Sequence, residues 1–139
     1  MSHETGYKAE QHVFSILNQK GIQFTFVDDW YDVDLFNKEK LEIKSCCLSI
    51  KQQLAGKRKH EDSYRIGRFD FTDPDNREKI YNANMWVGFV IRFLDHYLLC
   101  GFCRSKKLKN KRYITIHDLR RIGLISLDDW IKELNKVGK

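Results

Sequence analysis

The 139-residue chain has a single proline and eight glycines, and no segment of it repeats. This scarcity excludes collagen-like and low-complexity chains, which are rich in one or both residues. The sequence also lacks a run of about eighteen apolar residues, the length that a membrane-spanning helix needs. Because the amino terminus shows no signal-peptide pattern either, we expect one soluble, cytoplasmic domain over residues 1–139.

Acidic residues are fewer than basic ones, 19 against 25, so the net charge is +6. A positive balance favours a polyanionic partner, and the partner we predict is DNA. Residues 51–68, which begin with a basic loop over 51–63, and residues 104–112 hold six basic residues each, and together they outweigh the net charge of the whole chain. Nucleic-acid contacts are predicted at these basic residues: Lys51, Lys57, Arg58, Lys59, Arg65, Arg68, Arg104, Lys106 and Lys107.

Cysteines are few as well, at positions Cys46, Cys47, Cys100 and Cys103. The C-x-x-C spacing of the second pair is typical of half a zinc site, and the first pair could supply the other half. Adjacent residues of a strand point to opposite faces, however, so the first pair cannot easily share one ion. Reduced cysteines are common in protein cores. We therefore predict core cysteines, with zinc as the alternative.

The rest of the chain is interpreted around Trp30 to Ser45, where polar and apolar residues alternate on both sides of a short polar stretch. This period-two pattern predicts two strands joined by a tight turn. Asp32 and Asp34 would project from one face of the first strand, and Glu42 and Lys44 from one face of the second. The hairpin would therefore gather carboxylates and a lysine on one side.

The register of the hairpin decides which carboxylates meet, because directly opposed residues project from the same side. A turn over residues 37–39 places Asp34 opposite Glu42, and this is the register we predict. Two carboxylates held together in a poorly hydrated cleft cost several kcal/mol unless a cation offsets them. Hard oxygen ligands with open positions suit Mg²⁺ or Mn²⁺, and we expect no small-molecule cofactor.

This pattern resembles the PD-(D/E)xK nucleases, and most closely the small archaeal Holliday junction resolvases. In that family an acidic residue at a strand end is followed, after a variable gap, by Glu or Asp, any residue, and Lys. The matching residues here are Asp34, Glu42, Ile43 and Lys44.

Two further positions bear on the resemblance. The segment from Gly6 to Glu10 on the first predicted helix is similar to the Gly-x-x-x-Glu opening of the resolvases. Val33, by contrast, stands where many members have proline, and Asp32 competes with Asp34 for the first metal position.

The resemblance implies an α/β fold with a restriction-endonuclease-like core, a mixed central sheet flanked by helices in the order αβββαβ. It also implies a dimeric, Mg²⁺-dependent endonuclease that hydrolyses phosphodiester bonds in branched DNA, Holliday junctions or a duplex site. Asp34, Glu42 and the Ile43 carbonyl would ligate the ion, and Glu10 would reach it through water. Lys44 would stabilise charge in the transition state. The alternatives are a non-catalytic nucleic-acid-binding protein with this fold and a nuclease acting on RNA.

The remaining elements follow from periodicity and capping signals. Residues 54–63 have no apolar period and are interpreted as a mobile arm. The carboxyl-terminal part, 117–136, is predicted to be helical, with Ser126 capping its last helix. The other predictions are helices over 4–20 and 74–81 and strands over 23–27, 86–94, 97–103 and 113–116.

Overall fold

The computed structural model describes residues 2–27, 29–52 and 63–137. They form an α/β structure in which helices cover both faces of a mixed five-stranded sheet. The predicted class, α/β with a mixed central sheet flanked by helices, is confirmed. Among the described residues, no helix combines the length and the apolar character needed to cross a membrane.

The secondary structure agrees with most predicted segments to within a few residues. The strands are β1 Phe24–Phe26, β2 Val33–Leu35, β3 Lys40–Cys47, β4 Ser49–Gln52, β5 Ser63–Ile66, β6 Arg68–Asp70, β7 Trp86–Phe93, β8 His96–Arg104 and β9 Tyr113–Thr115. The helices are α1 Ser2–Gln19, α2 Pro74–Ala83, α3 Ile116–Ile122 and α4 Leu127–Val137, and a 3-10 helix covers Ser105–Leu108.

The central sheet has the strand order β1-β2-β3-β7-β8. Its first three strands are antiparallel neighbours, as expected for a meander with short connections. β3 and β7 are parallel, and the crossover between them contains α2. β8 then returns antiparallel to β7. The pairings β4 with β5 and β6 with β9 form two small additional sheets, which the sequence analysis did not predict.

One face of the central sheet packs against α1 and α4. The helical spacing of Val13 and Leu17 directs both side chains onto this face, where they meet Leu41 and Ile43 of β3. Trp130 of α4 is fully buried in the same cluster. Ser126 caps this helix as predicted, since its Oγ accepts a hydrogen bond from the Asp129 N–H at 3.2 Å.

The opposite face packs against α2, α3 and β6. Asp73 caps α2 by accepting hydrogen bonds from the N–H groups of Asp75 and Asn76, at 3.0 and 3.2 Å. Ile80 of this helix is buried beside Phe71. Side chains alternate along a strand, so Glu42 and Lys44 of β3 point away from Leu41 and Ile43, towards this second layer. The polar residues of the hairpin therefore lie on the α2 side.

The predicted mobile arm lies outside the described residues, apart from Ser63, which belongs to β5. Lys57, Arg58 and Lys59 fall in that segment. Lys51 and Arg65 belong to the β4–β5 hairpin that precedes and follows it. The basic loop over 51–63 is thus bounded by paired strands at both ends.

Candidate active site

The register of the β2–β3 hairpin differs from the predicted one by two residues. Val33 pairs with Leu41, and Asp34 pairs with Lys40 rather than with Glu42. The predicted register is therefore wrong. The turn begins one residue earlier than predicted, since the Leu35 N–H donates to the Glu39 carbonyl at 2.8 Å.

The cause of this shift is a three-residue loop over 36–38 with a left-handed final residue. Lys38 has φ 70°, the conformation that such a loop requires at this position. A glycine or asparagine at position 38 would have indicated a left-handed residue in the sequence, but a lysine does not. The Asn37 side chain stabilises the loop by accepting a hydrogen bond from the Glu39 N–H at 3.0 Å.

The shift leaves the acidic side chains on the same face of the hairpin, but it changes which aspartate lies beside Glu42. Asp32, not Asp34, lies beside Glu42, and the two carboxyl groups are hydrogen-bonded to each other. Asp32 Oδ2 also accepts a hydrogen bond from the Ile43 N–H at 2.6 Å. Asp34 Oδ1 instead accepts one from the Tyr31 hydroxyl at 2.8 Å. Asp32 therefore occupies the place that the sequence analysis assigned to Asp34.

Lys44 completes this pair of carboxyl groups, as the E-x-K spacing predicted. Its Nζ lies 3.4 Å from Glu42 Oε2 and 4.7 Å from the centroid of the Phe71 ring. Glu42 is buried, whereas 24% of the Lys44 side chain remains exposed. The ammonium group is thus fixed by an ion pair and an aromatic face, yet it still reaches solvent.

Glu10 of α1 is the fourth member of the site. It is partly buried, and it interacts electrostatically with both Asp32 and Lys44. Gly6, the other residue of the predicted helical motif, lies one turn earlier on the same helix, and no atom stands within 4 Å of where its Cβ would be. The structure therefore brings together three predicted site residues, Glu10, Glu42 and Lys44, with Asp32.

Negative charge at this site is poorly offset. Burial raises the pKa of Glu42 well above its usual value, and the charge of Asp32 raises it further. Burial also raises the pKa of Asp32, although the hydrogen bond from Ile43 opposes this effect. Burial, and then the charge of Asp32, raise the pKa of Glu10 to about 7. Because three carboxyl groups face the Lys44 ammonium, a divalent cation would relieve the excess negative charge.

The donor set fits Mg²⁺ better than an ion that needs many protein ligands. Among the described residues, no group of three or more His, Cys, Asp and Glu is arranged to hold an ion. Asp32 and Glu42 supply two carboxylates, and Mg²⁺ commonly takes one or two together with waters and phosphate oxygens. The Ile43 carbonyl lies on the same edge of β3 as the Ile43 N–H, which donates to Asp32. Glu10 would complete the set through water.

The stability of the metal-free protein should fall as pH rises from about 5 to 8. Glu10 has a higher pKa in the folded chain than in the unfolded chain, so folding takes up protons in this window. Raising the pH removes that proton and the stability linked to it. Glu10→Gln should therefore raise the melting temperature at pH 8 by about 3 to 6 °C and flatten its pH dependence.

Differential scanning fluorimetry in EDTA between pH 5 and pH 8 would test this prediction. The matched control is Glu78→Gln, which changes an exposed residue of α2. An unchanged pH profile for Glu10→Gln would contradict the placement of Glu10 among uncompensated acids.

Three residues beside the site were not predicted as functional. Trp30, Phe71 and Arg77 line a pocket of about 110 Å³ together with Glu42 and Lys44. Trp30 lies in the alternating stretch, but functional roles were predicted only for the charged residues of that stretch. Arg77 belongs to α2, and its spacing from the capping residue Asp73 is the one feature by which the sequence places it. Only the packing of α2 and β6 over the second face places them here.

The predicted nucleic-acid-binding residues that the structure describes have different surroundings. Arg104 forms an ion pair with Glu39 and stacks on Trp86, 3.9 Å from the ring centroid. Arg68 Nε lies 3.2 Å from Asp70 Oδ1, and its guanidinium stacks on Tyr113 at 4.3 Å.

Two neighbouring lysines of the same basic segment differ from these arginines. Lys106 lies over the ring of Tyr81 at 4.3 Å. Lys107 is exposed and lines a pocket with other basic residues. Of the residues predicted in the second basic segment, Lys107 is therefore the most available to a partner.

The cysteines behave as core residues. All four are free, and Cys46 and Cys103 are buried. Burial raises the pKa of each of these two thiols to about 12, so both remain protonated at neutral pH. The described residues contain no cysteine group arranged for an ion. Burial favours the core interpretation for Cys46 and Cys103, whereas Cys47 and Cys100 are half-buried.

Comparison of the chain with protein-family models, with curated proteins and with solved structures found no match.

Proposed function

We propose that the protein is a metal-dependent endonuclease that hydrolyses phosphodiester bonds in DNA. The proposal rests on one observation: Asp32 lies beside Glu42, and Lys44 Nζ is 3.4 Å from Glu42 Oε2. An acid pair with an ammonium two residues beyond the second acid has the composition of a phosphoryl-transfer centre. The resemblance to the PD-(D/E)xK nucleases supports the same reading once Asp32 replaces Asp34 as the first acid.

The topology supports a restriction-endonuclease-like core. α1 precedes the meander β1-β2-β3, and α2 precedes β7, which pairs in parallel with β3. Up to β7 the central sheet and its helices follow the order αβββαβ, and β8 adds a fifth strand beside β7. The candidate site lies on β3, between the antiparallel and the parallel part of the sheet. We propose this core as the scaffold of the enzyme.

Each residue of the site has a distinct role in this proposal. Asp32, Glu42 and the Ile43 carbonyl would hold Mg²⁺ or Mn²⁺. The ion supplies Lewis-acid chemistry, polarising the phosphate and lowering the pKa of the attacking water. The Lys44 ammonium, held by Glu42 and by the Phe71 ring, faces the phosphoryl oxygens and stabilises the charge that develops on them. Glu10 orients a water by accepting its hydrogen bond.

The nucleases that this chain resembles usually act as dimers, because two strands must be cut. We therefore propose that a homodimer cleaves two strands, as the resemblance implies. Branched DNA, including a Holliday junction, and a duplex site are both compatible with two centres. Size-exclusion chromatography with light scattering would measure the number of copies, with and without DNA.

The deciding experiment is a cleavage assay on junction, linear duplex and single-stranded DNA and on RNA, in Mg²⁺, Mn²⁺ or EDTA. We expect cleavage of DNA in either divalent ion, none in EDTA, and none with Glu42→Gln in any buffer. Activity that persists in EDTA or in Glu42→Gln would refute the proposal. Tight DNA binding without cleavage in any divalent ion would identify a non-catalytic nucleic-acid-binding protein, and cleavage confined to RNA would identify a ribonuclease.

A further inference from the structure

A basic pocket of about 380 Å³ lies on the α3 side of the molecule. Lys107, Lys109, Lys111 and Arg121 line it, and all four are exposed. The acid in its lining is Asp118, whose Oδ2 accepts a hydrogen bond from the Thr115 N–H at 3.0 Å. Asp118 Oδ1 lies 4.0 Å from Arg121, and Asp118 also interacts electrostatically with Lys111, so one carboxylate faces four cations. The pocket therefore carries an excess of positive charge.

The lysines of this pocket project from a rigid support. Leu108 and Ser105, in the 3-10 helix that begins the basic turn, are both buried. The Ser105 hydroxyl donates to the Ile80 carbonyl at 2.6 Å and accepts from the Met85 N–H at 3.0 Å. Little backbone freedom would be lost when an anion binds, which favours affinity.

Among the described residues, Lys107, Lys109 and Lys111 have no carboxylate within ion-pair distance. Exposed lysines are commonly solvated, so this alone does not define a site. Their concentration on one turn, however, repels like charge and favours a polyanion. A single-sign cluster on a rigid turn is what the backbone of a nucleic acid recognises.

One small depression, of about 10 Å³, lies between the basic pocket and the candidate active site and shares lining residues with both. The pocket that contains Glu42 and Lys44 shares Phe71, Arg77 and Ile80 with a smaller neighbouring depression. That depression shares Leu108 and Lys111 with the basic pocket. We call this connected surface, from Arg77 through Lys111 to Lys107, Lys109 and Arg121, the basic groove.

Arg77 stands where the basic groove meets the carboxylates. Its Nη1 donates to the Phe71 carbonyl at 3.2 Å, while its Nε has no hydrogen-bond partner. In the described part of the chain no carboxylate forms an ion pair with it. Because Arg77 Nε is buried, only the outer end of its guanidinium could reach a ligand. A guanidinium without a carboxylate partner beside a phosphoryl-transfer centre suits a phosphate next to the one that is cleaved.

We propose that the basic groove binds the sugar-phosphate backbone of the nucleic acid on one side of the scissile phosphate. The inference rests on the proposed function for its substrate, and it adds Arg77, Lys109, Lys111 and Arg121 to the residues that contact it. It also predicts the path of the bound strand over the protein surface, because the groove extends from the carboxylates towards α3. Arg104, engaged by Glu39 and Trp86, does not belong to it.

Fluorescence anisotropy with labelled DNA in EDTA would test the groove without any cleavage. We expect the triple variant Lys107→Ala, Lys109→Ala, Lys111→Ala to weaken binding at least tenfold at 100 mM salt. The slope of log affinity against log salt should become shallower by about 2 to 3, because each lost phosphate contact contributes about 0.9. The charge-matched control is Lys20→Ala, Lys132→Ala, Lys136→Ala on the opposite layer, for which we expect less than a threefold change.

An unchanged affinity and salt slope in the groove variant would overturn the inference. Equal losses in the groove and control variants would also overturn it, since they would show only a response to net charge. Inorganic phosphate, titrated at constant ionic strength, separates a single-anion pocket from an extended groove. Binding of free phosphate below millimolar concentration, without groove-dependent DNA binding, would contradict the proposal.

The groove and the nuclease chemistry can fail separately. Groove-dependent DNA binding without cleavage in any divalent ion would keep the groove and refute the enzyme. Mg²⁺-dependent cleavage with the same apparent KM in the parent and the groove variant would keep the enzyme and refute the groove. A circular dichroism spectrum and melting temperature equal to those of the parent would show that the triple variant is folded.

Discussion

Replacing Asp32 by asparagine is expected to lower the rate of Mg²⁺-dependent DNA cleavage by about a thousandfold or more, whereas Asp34→Asn should change it less than threefold. Asp32 lies beside Glu42 and accepts the Ile43 N–H at 2.6 Å, so its carboxylate is the one placed to hold the ion. Asp34 pairs with Lys40 and accepts the Tyr31 hydroxyl. A thousandfold loss corresponds to about 4 kcal/mol of transition-state stabilisation.

The two asparagine variants are closely matched, because they change equivalent carboxylates two residues apart on the same face. Each should be compared with the parent by single-turnover cleavage and by calorimetric titration with Mn²⁺. We expect Asp32→Asn to lose Mn²⁺ binding and Asp34→Asn to keep it. The reverse pattern would restore the register predicted from the sequence and would refute the arrangement of the hairpin in the structure.

Much of the fold could be predicted from the sequence because local signals agreed with the tertiary structure. The period-two alternation of β3 predicts a strand, and Asp73-Pro74 predicts the start of α2. Both patterns depend only on neighbouring residues of the chain. The apolar run over 86–94 predicted a strand, and the first five residues of β7 are buried, as a strand covered on both faces requires. These signals require no knowledge of distant contacts.

The register of the hairpin could not be predicted, because it depends on one backbone conformation. Lys38 adopts a left-handed conformation that costs a lysine about 1 kcal/mol or more, and no composition rule anticipates it. The face of the acids was nevertheless predicted correctly, since a shift of two residues preserves strand parity. The sequence therefore predicts which face of the hairpin carries the acids better than which aspartate meets Glu42.

The surroundings of the site were beyond sequence reasoning for a different reason. Phe71 and Arg77 reach Lys44 and Glu42 only because β6 and α2 fold over β3, about thirty residues after it. Arg104 looked like its neighbours in a basic run, yet Glu39 and Trp86 engage it within the fold. Long-range packing of this kind leaves no periodicity in the chain.

Lys44→Met is expected to lower single-turnover cleavage by about 100-fold to 1000-fold while DNA binding in EDTA changes less than threefold. Methionine keeps an apolar chain against the Phe71 ring but removes the ammonium that would face the phosphoryl oxygens. The matched control is Lys40→Met, on the same face of β3, whose Nζ lies 5.3 Å from the centroid of the Tyr31 ring. We expect near-parental cleavage from this control.

The same variant separates catalysis from charge compensation. Without Lys44, Glu42 loses its ion pair, so the metal-free variant should melt at a lower temperature than the parent at pH 8. Saturating Mn²⁺ should recover most of this loss, because the ion would then offset Asp32 and Glu42 in place of the ammonium. Cleavage should stay low even when Mn²⁺ restores the melting temperature. Recovery of both together would mean that Lys44 only stabilises the site and takes no part in the transition state.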